Sequence, residues 1–128
     1  NSVDAVVTFR NLHNWLGPEM DSIFENSFKA LKSGGSFGVV EHRANSGTDL
    51  ETMKKSGYVT EDHAIKVALK HGFELVAKSE INANPKDTKD HPKGVWTLPT
   101  RLRLNDVDRD KYESIGESDR MTLLFRKP

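Results

Sequence analysis

Two short stretches carry the side chains that could do chemistry. Arg10-Asn-Leu-His-Asn-Trp15 offers a guanidinium, two amides, an imidazole and an indole. Glu41-His-Arg43 adds a carboxylate, a second imidazole and a second guanidinium. His13 is the candidate general base, because an imidazole that titrates near neutrality can take a proton from a nucleophile. Glu41 and His42 are candidate catalytic partners, and Arg43 a candidate substrate contact, facing His13 across a crevice. The plainer reading is turn-capping by Asn and His in the first stretch and a Glu41–Arg43 ion pair in the second. Trp15 and Trp96 are candidate aromatic walls for a substrate, and the Tyr58 hydroxyl is a further candidate contact. Anchoring and packing are the plainer roles for these rings. The five histidines and many carboxylates invite a metal. No spacing is of the HExxH kind, so no metal site is expected.

The elements that must position these residues follow from periodicity. Ala5–Phe9 is an unbroken β-branched and aromatic run, the pattern of a strand buried on both faces in a parallel sheet. Leu16-Gly17-Pro18 breaks the chain, and a helix follows from Pro18 or Asp21 to Lys32. Ile23, Phe24, Phe28 and Leu31 give it one apolar face. Glu19 and Asp21 near its start and Lys29 and Lys32 near its end suit the helix dipole. Gly34-Gly35 is expected to stop it. A second strand occupies Ser36–His42. Strand, helix and strand make a right-handed βαβ unit with parallel strands, which brings Arg10–Trp15 and Glu41–Arg43 to one edge of the sheet. Ligands of open α/β sheets bind beyond that edge.

The rest of the chain is less strongly patterned. Residues 44–59 read as polar loop with one helical turn near Leu50–Lys55. Thr60 is a good N-cap for a helix over Glu61–His71, ended by Gly72. Phe73–Ile81 alternates apolar and charged residues, which suits an edge strand. Residues 82–120 are polar, with Gly94–Pro99 as an apolar island and a short helix near Asp106–Ile115. So long a connection inside a compact domain suggests either a functional, lid-like segment or a disordered one. Met121–Arg126 is the last strand.

Composition narrows the class. At 128 residues with 35% hydrophobic and 30% charged, the chain is one domain at most, and its core is small or part of it comes from a partner. A formal net charge of zero gives no electrostatic case for nucleic acid or an anionic membrane as partner. No run is long and apolar enough to span a bilayer. There are no cysteines, so disulfides and thiolate metal sites are excluded.

Asp4-Ala-Val-Val-Thr-Phe-Arg-Asn-Leu-His13, Ala30-Leu-Lys-Ser-Gly-Gly35 and the order of the later elements resemble the C-terminal half of a class I S-adenosylmethionine-dependent methyltransferase. The Leu-Lys-x-Gly-Gly motif has Ser33 where Pro is usual. Glu41-His-Arg, Lys55-Ser-Gly-Tyr-Val and Lys93-Gly-Val-Trp are similar to stretches in predicted bacterial methyltransferases of unknown substrate. The resemblance implies a partial Rossmann-like fold with a mixed sheet of about four strands flanked by helices, parallel except for a final antiparallel strand inserted between its predecessors. It implies S-adenosylmethionine as cofactor, with Arg10, Asn11, Leu12 and Asn14 as cofactor contacts, and a small-molecule methyl acceptor. The family's glycine-rich turn and ribose-binding acidic residue have no counterpart here. The opening Asn-Ser-Val-Asp, without Met, also suggests a piece of a longer chain. The expectation is weak or no cofactor binding by this chain alone, a homodimer through the Ala5–Phe9 edge or an uncovered sheet face, and a cytoplasmic setting. The alternatives are an inactive self-associating half-domain and another Rossmann-type enzyme such as a nicotinamide oxidoreductase.

Overall fold

The computed structural model describes residues 2–128. Four strands form one mixed sheet: β1 (Val3–Phe9), β2 (Leu31–His42), β3 (Glu74–Ser79) and β4 (Arg120–Arg126). Their order is β1-β2-β4-β3. β1 and β2 are parallel, and β4 lies antiparallel between β2 and β3. This is the inserted antiparallel strand that the sequence resemblance implied.

Helix α1 (Pro18–Ala30) crosses from β1 to β2, with Pro18 in its first turn, where a missing N–H costs nothing. It ends at Ala30, earlier than the glycine pair suggested. Leu31 is already extended, with φ −73° and ψ 142°, and its side chain is buried. Gly34-Gly35 instead shapes a wide bulge inside β2, where the pairing with β1 jumps from Val3↔Leu31 to Ala5↔Ser36. A Cβ on Gly35 would sit 2.8 Å from the Lys32 carbonyl oxygen and 3.1 Å from that of Asp4. The glycine therefore serves close backbone approach rather than helix termination.

Helix α2 (Leu50–Ser56) starts with Asp49 accepting from the Thr52 amide (2.8 Å). Helix α3 (Glu61–Lys70) starts with Thr60 accepting from the His63 amide (3.1 Å), as expected of that residue. Met20 and Phe24 of α1 and Ala64, Val67 and Ala68 of α3 pack on one face of the sheet, against Phe37, Val39, Met121, Leu123 and Phe125. Phe37 is central: its ring stacks on Phe73 at 4.9 Å and meets Phe24 edge-on at 5.0 Å.

The opposite sheet face stays open. Val7 is 60% and Phe9 57% exposed, and both lie on an edge strand. The unbroken apolar run of β1 thus did not mean burial on both faces in this chain. β3 holds the other edge and is exposed throughout, in accord with its charged alternation.

The connection over 82–120 is pinned rather than structureless. It contains a 3₁₀ turn (Gly94–Thr97) and helix α4 (Arg109–Ile115). The Asn84 amide donates to the carbonyls of Ile115 and Glu117 (2.7 Å each), closing the segment near its ends. The buried Asp87 carboxylate accepts from the Tyr58 hydroxyl (2.8 Å), the Asp119 amide (2.9 Å), the Lys89 amide (2.9 Å) and His91 Nε2 (2.8 Å). A carboxylate with this many donors is satisfied in the interior, where an unpaired one would be strongly destabilising.

Candidate functional site

The β1–β2 ladder ends at Phe9↔Val40, and β2 runs on two residues to His42. The Arg10 amide extends the ladder by donating to the Val40 carbonyl (2.6 Å), after which the backbone turns at φ +57°. That left-handed conformation is uncommon for a residue with a Cβ. A 3₁₀ turn follows at Leu12–Trp15 and carries His13 to Glu41 at the end of β2. β4 runs the opposite way, with Arg120 paired to His42, so its start brings Ser118, Asp119 and Arg120 to the same edge. Three strand ends meet there because one strand is inverted.

Glu41 is fully buried. Its Oε2 accepts from the His13 amide (2.6 Å) and lies 3.0 Å from His13 Nδ1; its Oε1 accepts from the His42 amide (2.8 Å). An ionised carboxylate can only accept, so Nδ1 of His13 carries a proton. In the neutral ring the lone pair is then on Nε2. His13 lines a cleft of about 430 Å³ whose other walls include Phe9, Trp96, Arg101 and Arg120. The Trp96 ring meets the His13 ring edge-on at 5.8 Å. A carboxylate-oriented imidazole on the wall of a cleft is an arrangement suited to removing a proton.

His42 also lines the cleft, with Nδ1 2.5 Å from Ser118 Oγ. Its pKa is pushed down to about 3, mainly by burial, then by repulsion from His13 when that ring is protonated and from the charges of Arg120 and Arg10. It is a neutral imidazole at physiological pH. His13, Glu41 and His42 place one ligand atom each within 4.8 Å of one another, a grouping that sequence spacing did not reveal. The donor set could hold a metal ion. Both Glu41 oxygens also accept hydrogen bonds from the backbone amides of His13 and His42.

The other sequence candidates divide between the cleft and its surroundings. Arg10, Asn11, Asn14 and Trp96 line the cleft. Leu12 is fully buried in the core, and Trp15 packs against that core, so neither side chain forms a wall. Tyr58 is buried, and its hydroxyl is held by Asp87; burial raises its pKa well above the usual phenol value, and the Asp87 charge adds to this. Arg43 is not paired with Glu41. It grips Asp119 through two bonds (2.9 and 3.0 Å) and reaches Glu61 (3.0 Å) and Glu80 (2.8 Å). Its hydrogen bond to Asp119 raises the guanidinium pKa, and Arg43 in turn helps hold Asp119 down to about 2 against the effect of burial. Arg43 thus braces the site from outside. Sequence reasoning missed Arg101, Ser118 and Arg120. Arg101 follows soon after the Gly94–Pro99 island, which was the one available hint; nothing local marked Ser118 or Arg120.

No family model matches the chain, and no curated protein sequence matches it. Solved structures do. The chain aligns along its full length with 50% of the cyclase SpnF, at 17% identity and a TM-score of 0.61. It aligns over 99% of its length with 54% of a proposed sarcosine dimethylglycine methyltransferase from Galdieria sulphuraria (14% identity, TM-score 0.60). It aligns over 98% with 62% of an S-adenosylmethionine-dependent methyltransferase from Mesorhizobium loti (14% identity, TM-score 0.53). The chain therefore spans about half the length of the structures it matches, with 50% of the first of them covered. At these identities the likeness is one of fold: a mixed four-stranded sheet of the Rossmann-like methyltransferase kind.

Proposed function

We propose that the chain forms the acceptor-side part of an S-adenosylmethionine-dependent methyltransferase acting on a small molecule. The observation that carries this reading is the Glu41-oriented His13 in a cleft at the carboxyl ends of β1 and β2, in a sheet of this fold. Fold alone does not specify chemistry, and the cleft residues supply the rest of the case.

The residues present fit one end of the implied cofactor. Arg10, Asn11 and Asn14 offer a cation and two amides suited to a carboxylate such as that of the methionine moiety. Glu41 is unsuited to binding ribose hydroxyls, because both its oxygens are engaged and no surface of it is exposed. This partial fit supports weak cofactor binding by the chain as it stands. S-adenosylmethionine supplies an electrophilic methyl group on a sulfonium when bound. His13 Nε2 accepts the proton that the acceptor nucleophile loses. Glu41 fixes the ring through Nδ1, and Trp96 packs at its edge and keeps water from that side.

The test combines binding and turnover. Millimolar S-adenosylhomocysteine should shift the amide NMR signals of Arg10, Asn11 and Asn14. A panel of phenols, acids and amines incubated with methyl-labelled S-adenosylmethionine should yield a labelled product, and His13→Asn should abolish the product while keeping the shifts. Absence of any shift at those amides, or a labelled product unaffected by His13→Asn, refutes the reading.

A further inference from the structure

Two guanidiniums in the cleft have no ion-pair partner among the described residues. Arg10 and Arg101 line it, and neither makes an ion pair or side-chain hydrogen bond with another described residue. The carboxylate lining the cleft, Glu117, is already engaged by Arg120 Nη2 at 2.9 Å. Arg120 Nε also donates to Ser118 Oγ (3.1 Å), which fixes its position on the wall. The lining thus carries three guanidiniums against one carboxylate, in a chain of zero net charge. A concave surface concentrates such a field and draws in anions. Both Arg10 and Arg120 act on His42 through that field, each disfavouring its charged form.

One carboxylate on the cofactor would engage Arg10 next to Asn11 and Asn14. Arg101 remains, also lining the cleft and close in sequence to Trp96. Arg103 adds a further cation against Trp96, 5.9 Å from the ring centre. Apolar surface is available from Phe9 and Trp96.

We infer that the molecule taken up beside His13 is an oxyanion: a small, flat acceptor whose body lies against Phe9 and Trp96 and whose carboxylate or phosphate is held by Arg101, with Arg120 behind it. This rests on the methyl-transfer reading for the word acceptor. The anion preference itself rests on the charge placement alone.

Calorimetry with para-hydroxybenzoate, its uncharged amide para-hydroxybenzamide, and inorganic phosphate tests it on the whole chain. The benzoate should bind about tenfold more tightly than the amide, as expected for a hydrogen-bonded charge. R101Q should remove that preference by weakening the benzoate far more than the amide; Arg101 is exposed, so the variant should fold normally. High salt should narrow the preference in the wild type. Displacement of the benzoate by phosphate supports phosphate esters as the acceptor class, and lack of displacement supports carboxylates. No measurable benzoate binding, equal affinities for benzoate and amide, or a preference that survives R101Q overturns the inference. Labelled product from neutral acceptors without any anion preference would leave methyl transfer standing and remove this inference. Anion preference without cofactor-induced shifts at Arg10–Asn14 would do the reverse.

Discussion

Replacing Glu41 with Gln changes one atom of a buried side chain, yet it should be among the most disruptive substitutions available. The carboxylate accepts on both sides: from His13 through Oε2 (2.6 Å to the amide, 3.0 Å to Nδ1) and from the His42 amide through Oε1 (2.8 Å). A glutamine has one accepting oxygen and one donating nitrogen. Turned one way, its NH₂ faces the His42 N–H; turned the other way, it faces the His13 N–H. Either choice leaves a buried donor unmet, at about 1–3 kcal/mol. The surviving bonds lose their charge assistance, which roughly halves them. The sum is about 3–4 kcal/mol, a large share of the roughly 5–15 kcal/mol that holds a domain together. For a chain of this size that corresponds to a drop of about 11–15 °C in Tm. Circular dichroism melts provide the first measurement. Nitrogen-detected NMR of the His13 ring provides the second: the wild type should show the proton on Nδ1, and the variant a mixture of tautomers. A Tm within about 3 °C of wild type together with an unchanged tautomer would refute the reasoning.

His42 sets a pH dependence. Its folded pKa of about 3 lies below the ordinary histidine value of 6.5, so below pH 6.5 the unfolded chain binds a proton that the folded chain does not. Its contribution to stability is full above pH 6.5 and is lost as pH falls toward 3. Urea midpoints should decline over that range, with a shallower decline in His42→Gln, and the His42 ring resonances should not titrate between pH 8 and pH 5; a midpoint near 6.5 would contradict the burial argument. Asp87→Ala should cost about 3–5 kcal/mol and open the 82–120 segment to limited proteolysis, since it strands the Tyr58 hydroxyl, His91 and the Asp119 amide. Gly94→Ala should destabilise by about 3 kcal/mol, because the new Cβ would lie 2.7 Å from Ser56 Cα at a φ of +60°. Denaturant melts check both variants, and a Gly94→Ala protein as stable as wild type would mean that the Gly94–Thr97 turn does not press on α2.

Much of the scaffold was legible in the chain. The N-cap residue Thr60, the apolar spacing of α1 and the βαβ order are local signals, written by hydrogen-bonding capacity and side-chain periodicity within a few residues. Parallel pairing of the first two strands then forced Arg10–Trp15 and Glu41–Arg43 to one edge, so the first half of the site could be located without tertiary information. α1 ends earlier than its local signals imply, because the glycines that follow it are used for a bulge whose reason is a neighbouring strand. The apolar run of β1 reports what a strand can bury and not what this chain lays over it, so its exposed face is not legible locally.

What the tertiary structure alone decided was partner choice. Glu41 stands two residues from Arg43, yet it takes His13, while Arg43 takes Asp119, 76 residues away. The inverted β4 delivers Ser118 to His42 and Arg120 to the cleft, and the pinned connection delivers Trp96 and Arg101. Composition and spacing fix which groups exist and which element carries each. The energies that match one buried charge to one donor depend on distances of a few ångströms between segments far apart in the chain, and those distances exist only once the sheet has closed.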